Sequence, residues 1–71
     1  MNRISVASEE ILSVGYDINT QVLEVEFQDK SVYEFVEIPT TLYEYLMNGG
    51  NFRYSYFKQN VQEKYLCHRV F

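Results

Sequence analysis

Between Leu12 and Phe35 the chain alternates apolar and polar residues in three short runs. Ile11–Ile18 sets Leu12, Val14 and Tyr16 against Ser13, Gly15 and Asp17, and Val22–Gln28 sets Leu23, Val25 and Phe27 against Glu24 and Glu26. Val32–Ile38 brings Tyr33 and Phe35 to one side and Val32, Glu34 and Val36 to the other. A period of two marks a half-buried strand. Three strands are therefore predicted, with Leu12, Val14, Tyr16, Leu23, Val25, Phe27, Tyr33 and Phe35 on one core face. A two-residue loop at Asn19–Thr20 would pair Ile18 with Gln21 and Tyr16 with Leu23, matching the faces. In the second hairpin a two-residue loop would turn Tyr33 and Phe35 the wrong way. The three-residue loop Gln28–Asp29–Lys30 instead pairs Val25 with Tyr33. A slip of one residue reverses every side chain, so the longer loop is predicted, with Lys30 in the left-handed conformation.

After Pro39 the period changes. Proline pre-sets a first helical turn, Thr41-Leu42-Tyr43-Glu44 has capping-box spacing, and Leu42, Tyr43, Leu46 and Met47 form one buried stripe. Gly49–Gly50 is the expected stop. A second helix is predicted from about Tyr54 to Lys64, with Phe57, Val61 and Tyr65 four apart. Met1–Ser8 reads as a loose arm or short edge strand, and Leu66–Phe71 alternates loosely, leaving room for a short C-terminal strand. The predicted architecture is α+β: a three-stranded antiparallel meander covered on one face by two helices, β-β-β-α-α, with acids on the open face.

Seventy-one residues allow one domain, taken as 1–71 with its core at roughly 8–70. An apolar content of 46%, with 17% aromatic, excludes a disordered segment. Its small size points to modest stability or support from a partner subunit. Cys67 is the single cysteine, which excludes an intrachain disulfide and fits a reducing compartment. No apolar run reaches the ~20 residues that cross a bilayer, and Met1–Ser13 lacks the apolar stretch of a signal peptide. The expectation is a cytoplasmic protein with no membrane partner. Its net charge of −4 is uneven: residues 1–38 hold two basic and eight acidic side chains, residues 39–71 four basic and two acidic.

Candidate chemistry is sparse. Cys67 and His68 are adjacent, so on a strand they point to opposite faces and make a poor nucleophile pair. The expected arrangement is a small buried thiol beside an exposed imidazole. No ligand spacing suggests zinc or calcium, and Asp17, Glu24, Glu26 and Glu34 read as a solvated sheet face. No catalytic, metal or cofactor-binding residue is assigned. Arg53, Tyr54, Tyr56, Lys58 and Arg69 interleave cations with rings, the composition of a single-stranded RNA platform, although four cations on an acidic chain imply weak binding. Val22, Val32 and Val36 on the outward face, together with an unpaired strand edge, suggest a protein partner or self-association.

Taken in order, Val14-Gly15-Tyr16-Asp17, Leu23-x-Val25-x-Phe27, Val32-Tyr33-Glu34-Phe35, Ile38-Pro39, Leu42-Tyr43, Tyr56-Phe57, Val61 and Tyr65 resemble the KTSC domain. This small bacterial family is named for its occurrence at the C-terminus of some lysyl-tRNA synthetases. The resemblance spans roughly residues 8–70. In the family's pattern a Tyr-x-Tyr stands where this chain has Tyr33-Glu34-Phe35, and a glycine stands at Lys30. Asn51-Phe52-Arg53-Tyr54 replaces a small Ser/Gly segment, and Gln59, Gln62 and Glu63 replace part of a set of arginines. The resemblance implies no defined activity, and RNA binding follows only from the synthetase fusions. The expected function is a non-enzymatic interaction or structural module, with weak RNA binding as the alternative.

Overall fold

The computed structural model describes residues 3–6, 8–48 and 52–71. The elements run β1 (Arg3–Ser5), β2 (Ile11–Asp17), β3 (Val22–Phe27), β4 (Val32–Phe35), α1 (Thr40–Met47), α2 (Tyr54–Phe57), a π-helical turn (Lys58–Gln62) and β5 (Cys67–Arg69). All strands join one antiparallel sheet in the order β1-β2-β3-β4-β5. The expected three-stranded meander is thus its middle. The two flanking segments add an edge strand each, a correction that short runs of three residues could not announce by periodicity.

The central register follows the alternation. Val14 pairs with Val25 and Tyr16 with Leu23, while Val25 also pairs with Tyr33 and Leu23 with Phe35. Lys30 closes the second hairpin at φ 74°, where its N–H donates to the Phe27 carbonyl at 2.9 Å and Phe27 N–H donates to that of Ser31 at 2.9 Å. This is the predicted three-residue loop. The first loop is longer than expected: Asp17 pairs with Val22, so Ile18–Gln21 all lie in the turn. Asp17 holds it, its Oδ1 accepting from the N–H groups of Asn19 and Thr20 at 2.9 and 3.3 Å, and Gln21 takes φ 57°. Leu12 departs from the predicted core face. A bulge between Ile11 and Ser13 leaves Leu12 unpaired, so Ile11 meets Phe27 and is fully buried while Leu12 is half-buried.

Pro39 is the N-cap of α1 and Thr41 lies inside the helix, so the expected capping box is not made. Leu46 is buried, with Leu42, Tyr43 and Met47 packed against the core as predicted. The helix ends at Met47 with Asn48 extended, and the Gly49–Gly50 stop lies outside the described residues. The second helix is regular for four residues only and then widens, with Glu63 N–H reaching the Lys58 carbonyl at 3.1 Å. Helical structure ends at Gln62 rather than Lys64, yet Phe57 and Val61 are both fully buried. Phe57 is the hub: its ring lies within 5.4 to 6.3 Å of Phe27, Phe35, Phe52 and Tyr54.

Candidate functional site

The ladder assigns each outward side chain a row. Arg3, Gly15, Glu24, Glu34 and His68 are consecutive cross-strand partners through all five strands. Gly15 has no side chain, so the Arg3 guanidinium crosses over it to bond Glu24 and lies 4.0 Å from Glu26. At the other edge His68 Nε2 is 3.2 Å from Glu34 Oε1, and Ser13 donates to Glu26 at 2.8 Å. Three of the four acids expected on a solvated face, Glu24, Glu26 and Glu34, are therefore paired, because the terminal strands supply partners, while Asp17 holds the first turn. Val32 on this face is buried and Val22 and Val36 are half-buried, so the outward valines do not form the open apolar patch expected of them.

Cys67 and His68 do point to opposite faces. His68 joins Glu34 outside, while Cys67 pairs with Phe35 on the core side. The thiol is exposed rather than buried, because β5 is an edge and the helices do not reach over it. It lines a groove of about 480 Å³ with Glu10, Phe27, Asp29, Tyr33 and Tyr54. With the histidine on the far side of the sheet, no imidazole base reaches this thiol.

The five residues singled out for RNA are divided. Arg53 and Tyr56 line a second groove of about 520 Å³ between α1 and α2, with Tyr45 stacked on Tyr56 at 4.7 Å. Tyr54 lines the first groove instead. Lys58 is exposed on the π-helical turn. Arg69 is on β5, its Nε donating to the Phe71 carbonyl at 3.0 Å. Tyr45, an exposed ring on α1, is the member the sequence did not flag; its place outside the Leu42–Met47 stripe was the available signal.

At the β5 edge, Val36 N–H donates to the Leu66 carbonyl and Val70 N–H to that of Val32. By the alternation of an antiparallel ladder, Cys67 and Arg69 turn their N–H and C=O groups away from β4. Leu66, Val70 and Phe71 flank this free edge and are exposed at 81%, 45% and 77%.

The KTSC domain pattern matches residues 7–65. The chain belongs to the KTSC domain family. An uncharacterised protein of Stutzerimonas stutzeri (strain A1501) is 34% identical over 51 residues, 72% of either chain. A KTSC domain protein of Yersinia pestis, known from a crystal structure, superposes with a TM-score of 0.89 at 27% identity, covering 99% of this chain and 97% of that one. The family match stops before β5, whereas the structural match extends over nearly the whole KTSC fold, edges included.

Proposed function

We propose that this KTSC domain is a non-enzymatic protein-interaction module that accepts an extended partner segment along β5. The observation that carries this is the β5 edge: free backbone groups at Cys67 and Arg69 lie between exposed apolar side chains. A strand added there gains main-chain hydrogen bonds from the edge and selectivity from alternate side chains. On the outer face the edge presents Leu66, His68 and Val70 in turn, so the favoured segment has apolar residues four apart around an acidic or polar one. The β1 edge is a poorer acceptor, since Ile4 is its one exposed large apolar residue and Arg3 is engaged with Glu24.

Arg69→Pro tests this directly. It removes an outward N–H without touching the bonds to β4. Cross-linked capture from cells, with sedimentation at micromolar concentration to score self-association, should lose its partner with Arg69→Pro and with Leu66→Lys while the thermal melt is retained. Capture unchanged by both would overturn the edge reading.

Weak RNA binding is the second reading, favoured by the Arg53, Tyr56 and Tyr45 groove, where a base can stack on an open ring beside a cation. Titration with mixed single-stranded RNA at low salt should give binding that Arg53→Ala and Tyr45→Ala weaken. Absence of binding at low salt removes it.

A further inference from the structure

We infer that the groove beside β5 binds an organic cation, an ammonium or guanidinium group of metabolite or side-chain size. The volume, about 480 Å³, falls within the range of small-molecule sites. The rings of Phe27 and Tyr33 meet nearly at right angles, 84° with centroids 5.6 Å apart, and Tyr54 supplies a third wall. All three rings are half-buried, although Leu23 and Val25 in the same sheet are sealed under the helices. In an edge-to-face pair one ring's edge rests on a face of the other, and a cation in the groove is attracted by the ring faces left uncovered.

The charges lining the groove have one sign. Glu10 and Asp29 are its ionisable carboxylates, and among the described residues no lysine or arginine lines it; Lys30, in the turn at its mouth, is exposed. On the outer face Glu24, Glu26 and Glu34 each lie beside a cationic side chain or imidazole. Neither groove acid has an ion-pair partner among the described residues. Ser31 N–H and Oγ both donate to Asp29 Oδ1, at 3.0 and 2.6 Å, which fixes the carboxylate and leaves Oδ2 without a protein donor among the described residues. Arg69, the nearest basic side chain on β5, is turned to the Phe71 carbonyl. Rings at the walls and two carboxylates at the rim without an ion pair, Arg69 acting on Asp29 only from beyond salt-bridge distance, select a positive ligand over a neutral or anionic one of equal size.

The groove reading is separate from strand addition at β5 and is tested without a protein partner. Isotope-labelled KTSC domain is titrated with choline, agmatine and a short arginine-containing peptide, with a neutral alcohol and a carboxylate of similar size as controls. Saturable shifts of the Gln28–Ser31, Tyr33, Tyr54 and Cys67 amides by a cation, with none from the controls, support the site. The peptide arm tells whether the cation belongs to a free amine or to a protein side chain. Affinity should fall about tenfold in Tyr54→Leu, the loss expected for one cation–π wall. It should also fall in Glu10→Gln, an exposed position whose exchange leaves the fold intact. No saturable shift with any cation at millimolar concentration overturns the assignment. So does equal binding of the neutral control, or affinity unmoved by both variants.

Discussion

The helix layer has two flanks, and tyrosine behaves differently on each. On the α1 side Tyr16 stacks on Tyr43 at 4.5 Å and 10°, and its hydroxyl donates to the Ile38 carbonyl at 2.6 Å. On the α2 side Tyr33 and Tyr54 pack by their ring edges and faces, and among the described residues the Tyr54 hydroxyl finds a contact no closer than Gln62 at 3.5 Å. A phenol seals a fold when a backbone acceptor sits at the end of its ring; without one it stays a surface. The first flank is therefore a joint between sheet and helix, and the second is a groove available to ligand.

The largest expected effect separates the hub beneath both flanks from the groove above it. Phe57→Ala removes a fully buried ring with four aromatic neighbours and should cost about 3–5 kcal/mol. Small domains have only about 5 kcal/mol or little more in total, so much of the population should be unfolded in a urea titration. Tyr54→Leu, on the open wall, should cost under about 1 kcal/mol. Equal losses would mean that Tyr54 is core and that the two-flank distinction is wrong. Next comes the hydroxyl comparison. Tyr16→Phe forfeits the bond to Ile38 and should destabilise by about 1 kcal/mol. Tyr33→Phe, whose hydroxyl has no hydrogen-bond partner among the described residues, should leave the melt unmoved.

The same distinction explains what could be read from residues alone. Tyr33 and Phe35 had to share a face with Val25 and Phe27 because period two allows no other register, and that constraint gave the central sheet and the Lys30 turn. Leu12 and Ile11 defeated it because a bulge exchanges neighbours without leaving a mark in an apolar pair. The edge strands were barely legible: Arg3–Ser5 and Cys67–Arg69 are fixed by partners far away in sequence. Cys67 seemed a buried thiol for that reason, since its exposure depends on how far α2 extends. The groove was not legible either. Phe27 and Tyr33 look like core and Tyr54 like part of an RNA platform, and only the widening of the helix at Lys58–Gln62 and the position of Glu10 and Asp29 show them lining one opening.

The turn at the mouth of the groove carries the next effect. Lys30 holds φ 74°, a conformation that disfavours a side chain by about 1–2 kcal/mol. Glycine relieves this but adds freedom to the unfolded chain, about 0.5–1 kcal/mol. Lys30→Gly should therefore stabilise by about 0.5–1 kcal/mol, a gain on the open flank where substitutions on the closed one lose. A lower melting temperature would show that the lysine side chain makes a compensating contact there.

The smallest effect is one of pH. Hydrogen bonds from the Ser31 hydroxyl and N–H, with a lesser contribution from nearby Arg69, hold the Asp29 carboxyl below its ordinary value of 3.8. A depressed carboxyl stabilises the folded state in its ionised form, so the benefit is fully present above that ordinary value and disappears as pH falls through the folded one. Thermal melts of the parent and Asp29→Asn should differ at neutral pH and converge under acid conditions below 3.8. Ser31→Ala should show the same convergence, since it removes the largest cause of the depression while leaving the carboxyl in place. A gap between parent and Asp29→Asn that stays constant into strong acid would assign the aspartate's role to turn geometry alone. The fixed negative charge at the rim of the groove would then need another origin than the serine clamp.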